Sequence, residues 1–156
     1  MGSYVVMDAD AGELWEKHSG ELIRFASSLV GPVDAEDVLS SAFVAAVSST
    51  TWSSVRNRRA YLFRAVASHA GKLEQSRRRR LRREELVART DLSLTPADVE
   101  ALSLLTRLTV RQRAVVWMAY WLDANTGEIA EMLELSRRTV ERELTVARRR
   151  IRKELS

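Results

Sequence analysis

The stretch Asn125-Thr126-Gly127-Glu128-Ile129-Ala130-Glu131-Met132-Leu133-Glu134-Leu135-Ser136-Arg137-Arg138-Thr139-Val140 holds two helix starts separated by a short turn. Asn125 followed three residues later by Glu128 is the pattern of a capping box: the Asn side chain takes an orphan backbone N–H, and the Glu side chain reaches back to the Asn backbone. The helix it opens carries its apolar residues at Ile129, Ala130 and Leu133. Glu134-Leu135-Ser136 then forms the turn, with Leu135 as its buried plug and Ser136 as the N-cap of a helix predicted from Arg137 to about Glu154. Val140, Leu144, Ala147 and Ile151 recur there at intervals of four, three and four, which puts them on one stripe. Arg137, Arg138, Glu141, Arg142, Thr145, Arg148, Arg149 and Arg152 lie off that stripe and face out. Two short capped helices across a three-residue turn suit a helix-turn-helix. A helix that packs by one stripe and offers arginines elsewhere fits the major groove, where Arg bonds guanine bidentately and Glu accepts from the cytosine amino group. On that chemistry Arg137, Arg138, Glu141 and Arg142 are the base readers, while Ser136 and the outer arginines hold phosphates. The competing reading is a solvated helix on which Glu141 and Glu143 pair with nearby arginines.

Upstream of this unit the chain still reads as helical, because glycine and proline are scarce and apolar residues recur at three and four. The fold class expected is all-α, in two small domains. Thr95-Pro96-Ala97-Asp98 restarts a helix, with Thr95 as N-cap, proline at the first helical position and an acid in the first turn; Val99, Leu102, Leu105 and Leu108 form its apolar face. Thr109 caps the next helix, whose Val110, Ala114, Val116, Trp117, Met118, Tyr120 and Trp121 read as a wide core face. Residues 84–95 form the linker between a domain over 1–83 and one over 96–156. In the first domain, an amphipathic helix from about Leu14 to Val30 ends at Gly31-Pro32. A second helix follows the acidic Asp34-Ala35-Glu36-Asp37 start, and a polar loop, Ser48 to Ser54, holds the lone aromatic Trp52. A long helix from Arg59 to about Arg83 begins apolar, with Tyr61, Leu62, Ala65 and Val66, and turns almost purely basic at Arg77-Arg78-Arg79-Arg80-Leu81-Arg82-Arg83.

Charge is partitioned along the chain. The net value of +4 conceals a first third, residues 1–55, with two basic and eight acidic side chains, and a block over 56–83 with eleven basic side chains and only Glu74 acidic. An acidic stretch separates this block from the basic C-terminus. Two basic blocks suggest two contacts with a polyanion, each neutralised phosphate releasing counterions. With no cysteine and only His18 and His69, disulfides, Cys-based zinc sites and thiol nucleophiles are excluded, and imidazole chemistry nearly so. No glycine-rich phosphate loop, metal-ligand cluster or nucleophile-base pair can be named, so no enzyme, cofactor or metal is expected. The longest apolar run, Ala114 to Leu122, is about half of a membrane span, and Asp8 and Asp10 stand where a signal peptide carries positive charge. A cytoplasmic protein without membrane insertion is the expectation.

Three groups of residues together resemble a bacterial sigma factor of the extracytoplasmic-function class, in the sigma-70 family. They are Asp34-Ala35-Glu36-Asp37-Val38 with Ala42-Phe43; Tyr61-Leu62-Phe63-Arg64 before the arginine run; and Glu128-Ile129-Ala130-Glu131 through Ser136-Arg137-Arg138-Thr139-Val140. The similarity covers about residues 14–83 and 96–155. The C-terminal unit alone also resembles the LuxR-type DNA-binding domain, and the order and spacing of both halves make the match specific. The resemblance implies a sigma-2 domain joined to a sigma-4 domain, with core RNA polymerase and promoter DNA as partners and an anti-sigma factor as a further candidate. It implies polymerase docking through the helix carrying Asp34, Glu36, Asp37, Val38, Ser41 and Phe43. It implies minus-10 contacts from Trp52, Arg59, Tyr61, Arg64, Ser68, His69, Lys72, Arg77, Arg78, Arg79 and Arg80, with Trp52 or Tyr61 either capturing a melted base or serving as core. It implies minus-35 contacts from Ser136, Arg137, Arg138, Thr139, Glu141, Arg142, Thr145, Arg148 and Arg149. Glu134 departs from the family, which commonly has glycine at that turn. Two rivals remain beside this reading: a stand-alone helix-turn-helix regulator, and a sigma-like module that binds proteins without reading promoters.

Overall fold

The computed structural model describes residues 9–83 and 107–156, and every regular element among them is helical. The linker and the helix start placed at Thr95 lie outside the described residues. The helices are α1 (Ala9–Val30), α2 (Pro32–Val47), a 3-10 turn (Trp52–Ser54), α3 (Arg58–Arg83), α4 (Val110–Tyr120), α5 (Thr126–Leu133) and α6 (Arg137–Leu155).

The α1–α2 break follows the chemistry of its two residues. Gly31 adopts φ 87°, in the left-handed region where a Cβ is penalised, and its N–H bonds the Ser27 carbonyl at 2.9 Å. Pro32 then opens α2 at a position whose N–H would have no helical partner. Both N-terminal helices start earlier than their sequence patterns indicate. In α1 the extra turn carries Ala11, which is buried in the core. In α2 the proline itself is already helical, so Asp34 lies within the first turn.

Leu22, Phe25, Ala26 and Leu29 of α1 pack against Val38, Leu39, Ala42 and Phe43 of α2 and against Leu62, Phe63 and Val66 of α3. The C-terminal helices close around Ala114, Val115 and Met118 of α4, Ile129 and Ala130 of α5, and Val140 and Leu144 of α6. These two groups form one continuous apolar cluster, because both α1 and α3 pack on α4. Trp117 provides the joint: its ring lies 5.1 Å from Phe25 and 5.9 Å from Phe63, which are themselves 5.0 Å apart. Offset aromatic pairs at such separations add to the stability that their buried area already supplies.

The broad core face expected on α4 is only partly core. Ala114, Val115 and Met118 are buried, but Tyr120 and Trp121 stand 65% and 62% exposed. The helix is only Val110–Tyr120, so these two fall at its end, outside the apolar cluster. Trp121 stacks on Trp117 with ring centroids 6.2 Å apart, and Tyr120 receives a hydrogen bond from Arg148.

Candidate nucleic-acid interface

The helix-turn-helix forms as its caps require. Asn125 accepts from the Glu128 N–H at 2.9 Å while the Glu128 carboxylate accepts from the Asn125 N–H at 3.5 Å. Thr109 and Gln112 make the equivalent box at the start of α4. Ser136 caps α6 by accepting from the Thr139 N–H at 3.1 Å. Between the helices, Glu134 holds φ 53° and ψ 47°, a left-handed conformation, and the Leu135 N–H bonds the Ala130 carbonyl at 2.9 Å. A left-handed non-glycine residue carries a steric penalty of about 1–2 kcal/mol. Leu135 packs against the core but is only half-buried, less than a plug would be.

The stripe on α6 is the one its spacing gives. Val140, Leu144 and Ala147 are buried, Ile151 is half-buried, and Arg137, Arg138, Glu141, Arg142, Thr145, Arg148, Arg149 and Arg152 are exposed. Thr139 is half-buried. Of the pairings that a solvated helix would make, one forms weakly, Arg142 with Glu143 at 3.9 Å. Arg150, on another face, turns inward to bond Gln112 Oε1 at 3.0 Å and braces α6 on α4. Arg148 lies over the Tyr120 ring and donates to its hydroxyl at 2.8 Å, which fixes the direction of one outward guanidinium.

The second basic block behaves differently. Arg59 forms a two-pronged pair with Glu21, Nε at 2.7 Å and the terminal nitrogen at 2.9 Å. The Arg59 hydrogen bond holds the Glu21 carboxyl below the usual carboxylate range against an opposing desolvation effect, and His18 also contributes. Arg64 lies over the Tyr61 ring and forms an ion pair with Glu134 at 3.1 Å; Arg77 pairs with Asp34 of α2, and Arg78 reaches Glu74 at 3.3 Å. The His69 Nδ1 faces the Ala65 carbonyl of its own helix at 3.0 Å. Ser68, Lys72, Arg79 and Arg80 are exposed.

Trp52 is 5% exposed, under the Arg58 guanidinium and edge-on to Tyr61, with its indole N–H buried and unbonded. Burial makes Trp52 a core residue and leaves the half-buried Tyr61 as the more accessible of the two aromatics. On α2, Val38 and Phe43 are 5% and 2% exposed, and Phe43 meets Trp15 edge-on at 4.9 Å. Those two side chains therefore anchor the helix and are not available to a partner. Glu36, Asp37 and Ser41 form its outer face, and Asp34 is half-buried against Arg77. The exposed Val33 and Val44 on this same helix carried no signal in the sequence reading, because isolated valines there look like core.

Several of the α3 residues, Arg64, Ser68 and Lys72 among them, line a cleft of about 670 Å³ whose far wall is α4 with Leu133, Leu135 and Glu143. Arg113 of α4 reaches across to α1 and α3. Its guanidinium donates to the Leu29 carbonyl at the end of α1 at 2.6 Å and stands 3.6 Å from Glu74 of α3. Burial lowers its pKa, and the nearby Glu74 partly offsets that effect.

Residues 98–151 match the family model described as "Sigma-70, region 4". No curated protein matches the chain. Among solved structures, the chain is similar in fold to the sigma factor RpoE from Bartonella quintana, solved in complex with the anti-sigma factor NepR. The match covers 95% of this chain and 98% of that one at a TM-score of 0.72 and 17% identity, a likeness of fold. The C-terminal unit thus carries the match to sigma-70 region 4, within an all-α chain whose fold is like that of a sigma factor.

Proposed function

We propose that the chain is a sigma factor of the extracytoplasmic-function class, which binds core RNA polymerase and directs initiation through minus-10 and minus-35 contacts. The observation that carries this reading is a region 4 helix-turn-helix with an outward arginine face, joined in one chain to an acidic docking helix and a second basic helix. Arg137, Arg138, Glu141 and Arg142 read minus-35 bases, while Ser136, Thr145, Arg148 and Arg149 hold phosphates. On α3, Lys72, Arg79 and Arg80 offer free cations to the minus-10 backbone, and Tyr61 supplies a ring on which an unstacked base can lie. Glu36, Asp37 and Ser41 face polymerase, a role for acids that phosphate would repel.

In this reading the protein regulates transcription without catalysis of its own and works where polymerase and chromosome are, in the cytoplasm. No helix among the described residues is long and apolar enough to cross a membrane. An anti-sigma factor is a further partner in the proposal, supported by the complex in which the similar fold was solved. Run-off transcription with core polymerase over genomic fragments is the test. Initiation that depends on the added protein supports the proposal; no initiation from any fragment, together with no co-purification with polymerase, rules it out. Duplex binding without polymerase and no effect on initiation would favour a stand-alone regulator.

A further inference from the structure

We infer that Tyr120 and Arg148 together form a clamp for a DNA backbone phosphate beside the recognition helix, in which the tyrosine both aims the arginine and donates a hydrogen bond of its own. The inference deepens the promoter reading of α6 and rests on it for the ligand, while the pair itself rests on geometry.

Tyr120 sits in an apolar run, yet α4 ends at this residue and leaves its side chain 65% exposed. Backbone bonds close the helix end, from the Trp121 N–H to the Trp117 carbonyl at 2.8 Å and from the Ala124 N–H to the Met118 carbonyl at 3.1 Å. Met118 is fully buried, so the exposed ring stands on a fixed base. Arg148 of α6 donates from Nε to the phenolic oxygen at 2.8 Å, with its Cζ 5.7 Å from the ring centroid. Among the described residues, Arg148 is the one member of the outward set on α6 that is hydrogen-bonded to another helix; Thr145 and Arg152 bond carbonyls of α6 itself.

The chemistry of this tether differs from that on α3. A carboxylate that holds an arginine also offsets its charge, as Glu21 does for Arg59. A neutral phenol holds the guanidinium and leaves the charge intact. Tyr120 occupies Nε alone, so the terminal nitrogens keep the fork that meets a phosphate in two-pronged fashion. The phenolic oxygen accepts from Arg148 and retains its own proton, and accepting from a cation strengthens it as a donor. Two helices thus supply a fork and an O–H at one exposed place. Fixing the arginine before DNA arrives also lowers the ordering cost of binding.

Position along α6 decides which part of the DNA the pair meets. Arg148 follows Arg138 by ten residues, roughly 15 Å of axis at about 1.5 Å per residue. The major groove is about 12 Å wide. With Arg138 at a base edge, Arg148 lies past the groove floor and meets the sugar-phosphate wall. The clamp therefore sets register and carries no sequence information.

A double-mutant cycle in the full chain, alone and bound to core polymerase, tests the clamp with a fluorescent duplex of mixed sequence followed against salt. Arg148→Ala is expected to lower the slope of log affinity against log salt by about 0.9, the value for one phosphate. Tyr120→Phe keeps the ring and every charge; it should lose affinity about three- to tenfold, the range of one net hydrogen bond, at an unchanged melting temperature. In the Arg148→Ala background the same tyrosine change should cost almost nothing, because the two side chains act as a unit. Lys153→Ala, which removes an exposed cation further along α6, should instead add independently to Tyr120→Phe. In the free chain the Arg148 Nε–H signal in nuclear magnetic resonance should exchange slowly with water and quicken in Tyr120→Phe, which reads the pair without any DNA.

Parent affinity in Tyr120→Phe, or losses from Tyr120→Phe and Arg148→Ala that simply add, would overturn the clamp. Fast exchange of the Arg148 proton in the parent would overturn the pairing beneath it. If run-off transcription succeeds while the cycle is additive, the promoter reading stands and the clamp alone fails. If neither parent nor variants bind the duplex and no run-off product forms, the promoter reading fails and takes the clamp with it.

Discussion

The two arginine-rich helices, α3 and α6, look alike in composition and behave oppositely in structure. Among the described residues, the outward arginines of α6 meet one weak acidic partner, Glu143, so their charge is available to phosphate. On α3 five of the eight cations whose side chains are described are already engaged: Arg58 approaches Asp10 at 3.9 Å, Arg59 pairs with Glu21, Arg64 with Glu134, Arg77 with Asp34 and Arg78 with Glu74. Among the described side chains of α3, Lys72, Arg79 and Arg80 match α6 in openness. Charge count alone does not make a nucleic-acid surface. What matters is whether the fold supplies carboxylates first, and here Asp10 and Glu21 of α1, Asp34 of α2, Glu134 of the turn and Glu74 of α3 itself do so.

The largest effect expected from breaking this contrast is at the packing under α3. Phe63→Ala removes a fully buried ring shared by α1, α3 and α4 and should cost about 3–5 kcal/mol in denaturant unfolding. It should also weaken the joint between the units. A smaller loss would mean that the two units are not one cooperative structure.

Next comes base reading on α6. Arg138→Ala should weaken binding at one minus-35 position by about 1–3 kcal/mol, whereas Arg79→Ala should weaken all DNA alike and reduce the salt slope by about 1. Equal, sequence-blind losses from both would erase the distinction between the helices. At the entry to α6, Ser136→Ala removes the side-chain bond to the Thr139 N–H and should cost about 1 kcal/mol, read as a lower melting temperature with the same recognition sequence.

The smallest effect is in pH dependence. Because Glu21 has a folded-state pKa below its unfolded one, its stabilising contribution is complete above the ordinary carboxylate range and fades as pH falls through the depressed value. Glu21→Gln should therefore be less stable than the parent at neutral pH and converge with it in acid. Parallel stability curves throughout would show that the Arg59 pair does not couple to protonation.

Local chemistry was legible from the sequence because capping and periodicity act within a few residues. The Asn125 and Ser136 caps, the Thr109 cap, the Gly31-Pro32 break and the α6 stripe all follow from side chains that meet their partners inside one or two turns. The region 4 identity of residues 98–151 was readable for the same reason, since its motif is contiguous. Less of the site was legible. Val38 and Phe43 were expected to face a partner but serve the core, and Trp52 stands in a polar loop but is buried, because burial depends on which distant helix arrives above a residue.

By itself, then, the sequence determined the all-α class, the helix boundaries near their caps, and the outward arginine face of the last helix. Only the tertiary structure decided that Tyr120 and Trp121 are exposed, that five of the α3 cations are paired, and that Trp117, Arg113 and Glu134 join one half of the chain to the other. The physical reason is range. Helix propensity, capping and amphipathic spacing are written in neighbours, whereas an ion pair between Arg64 and Glu134 joins side chains far apart in sequence and exists only once two separately formed units have met.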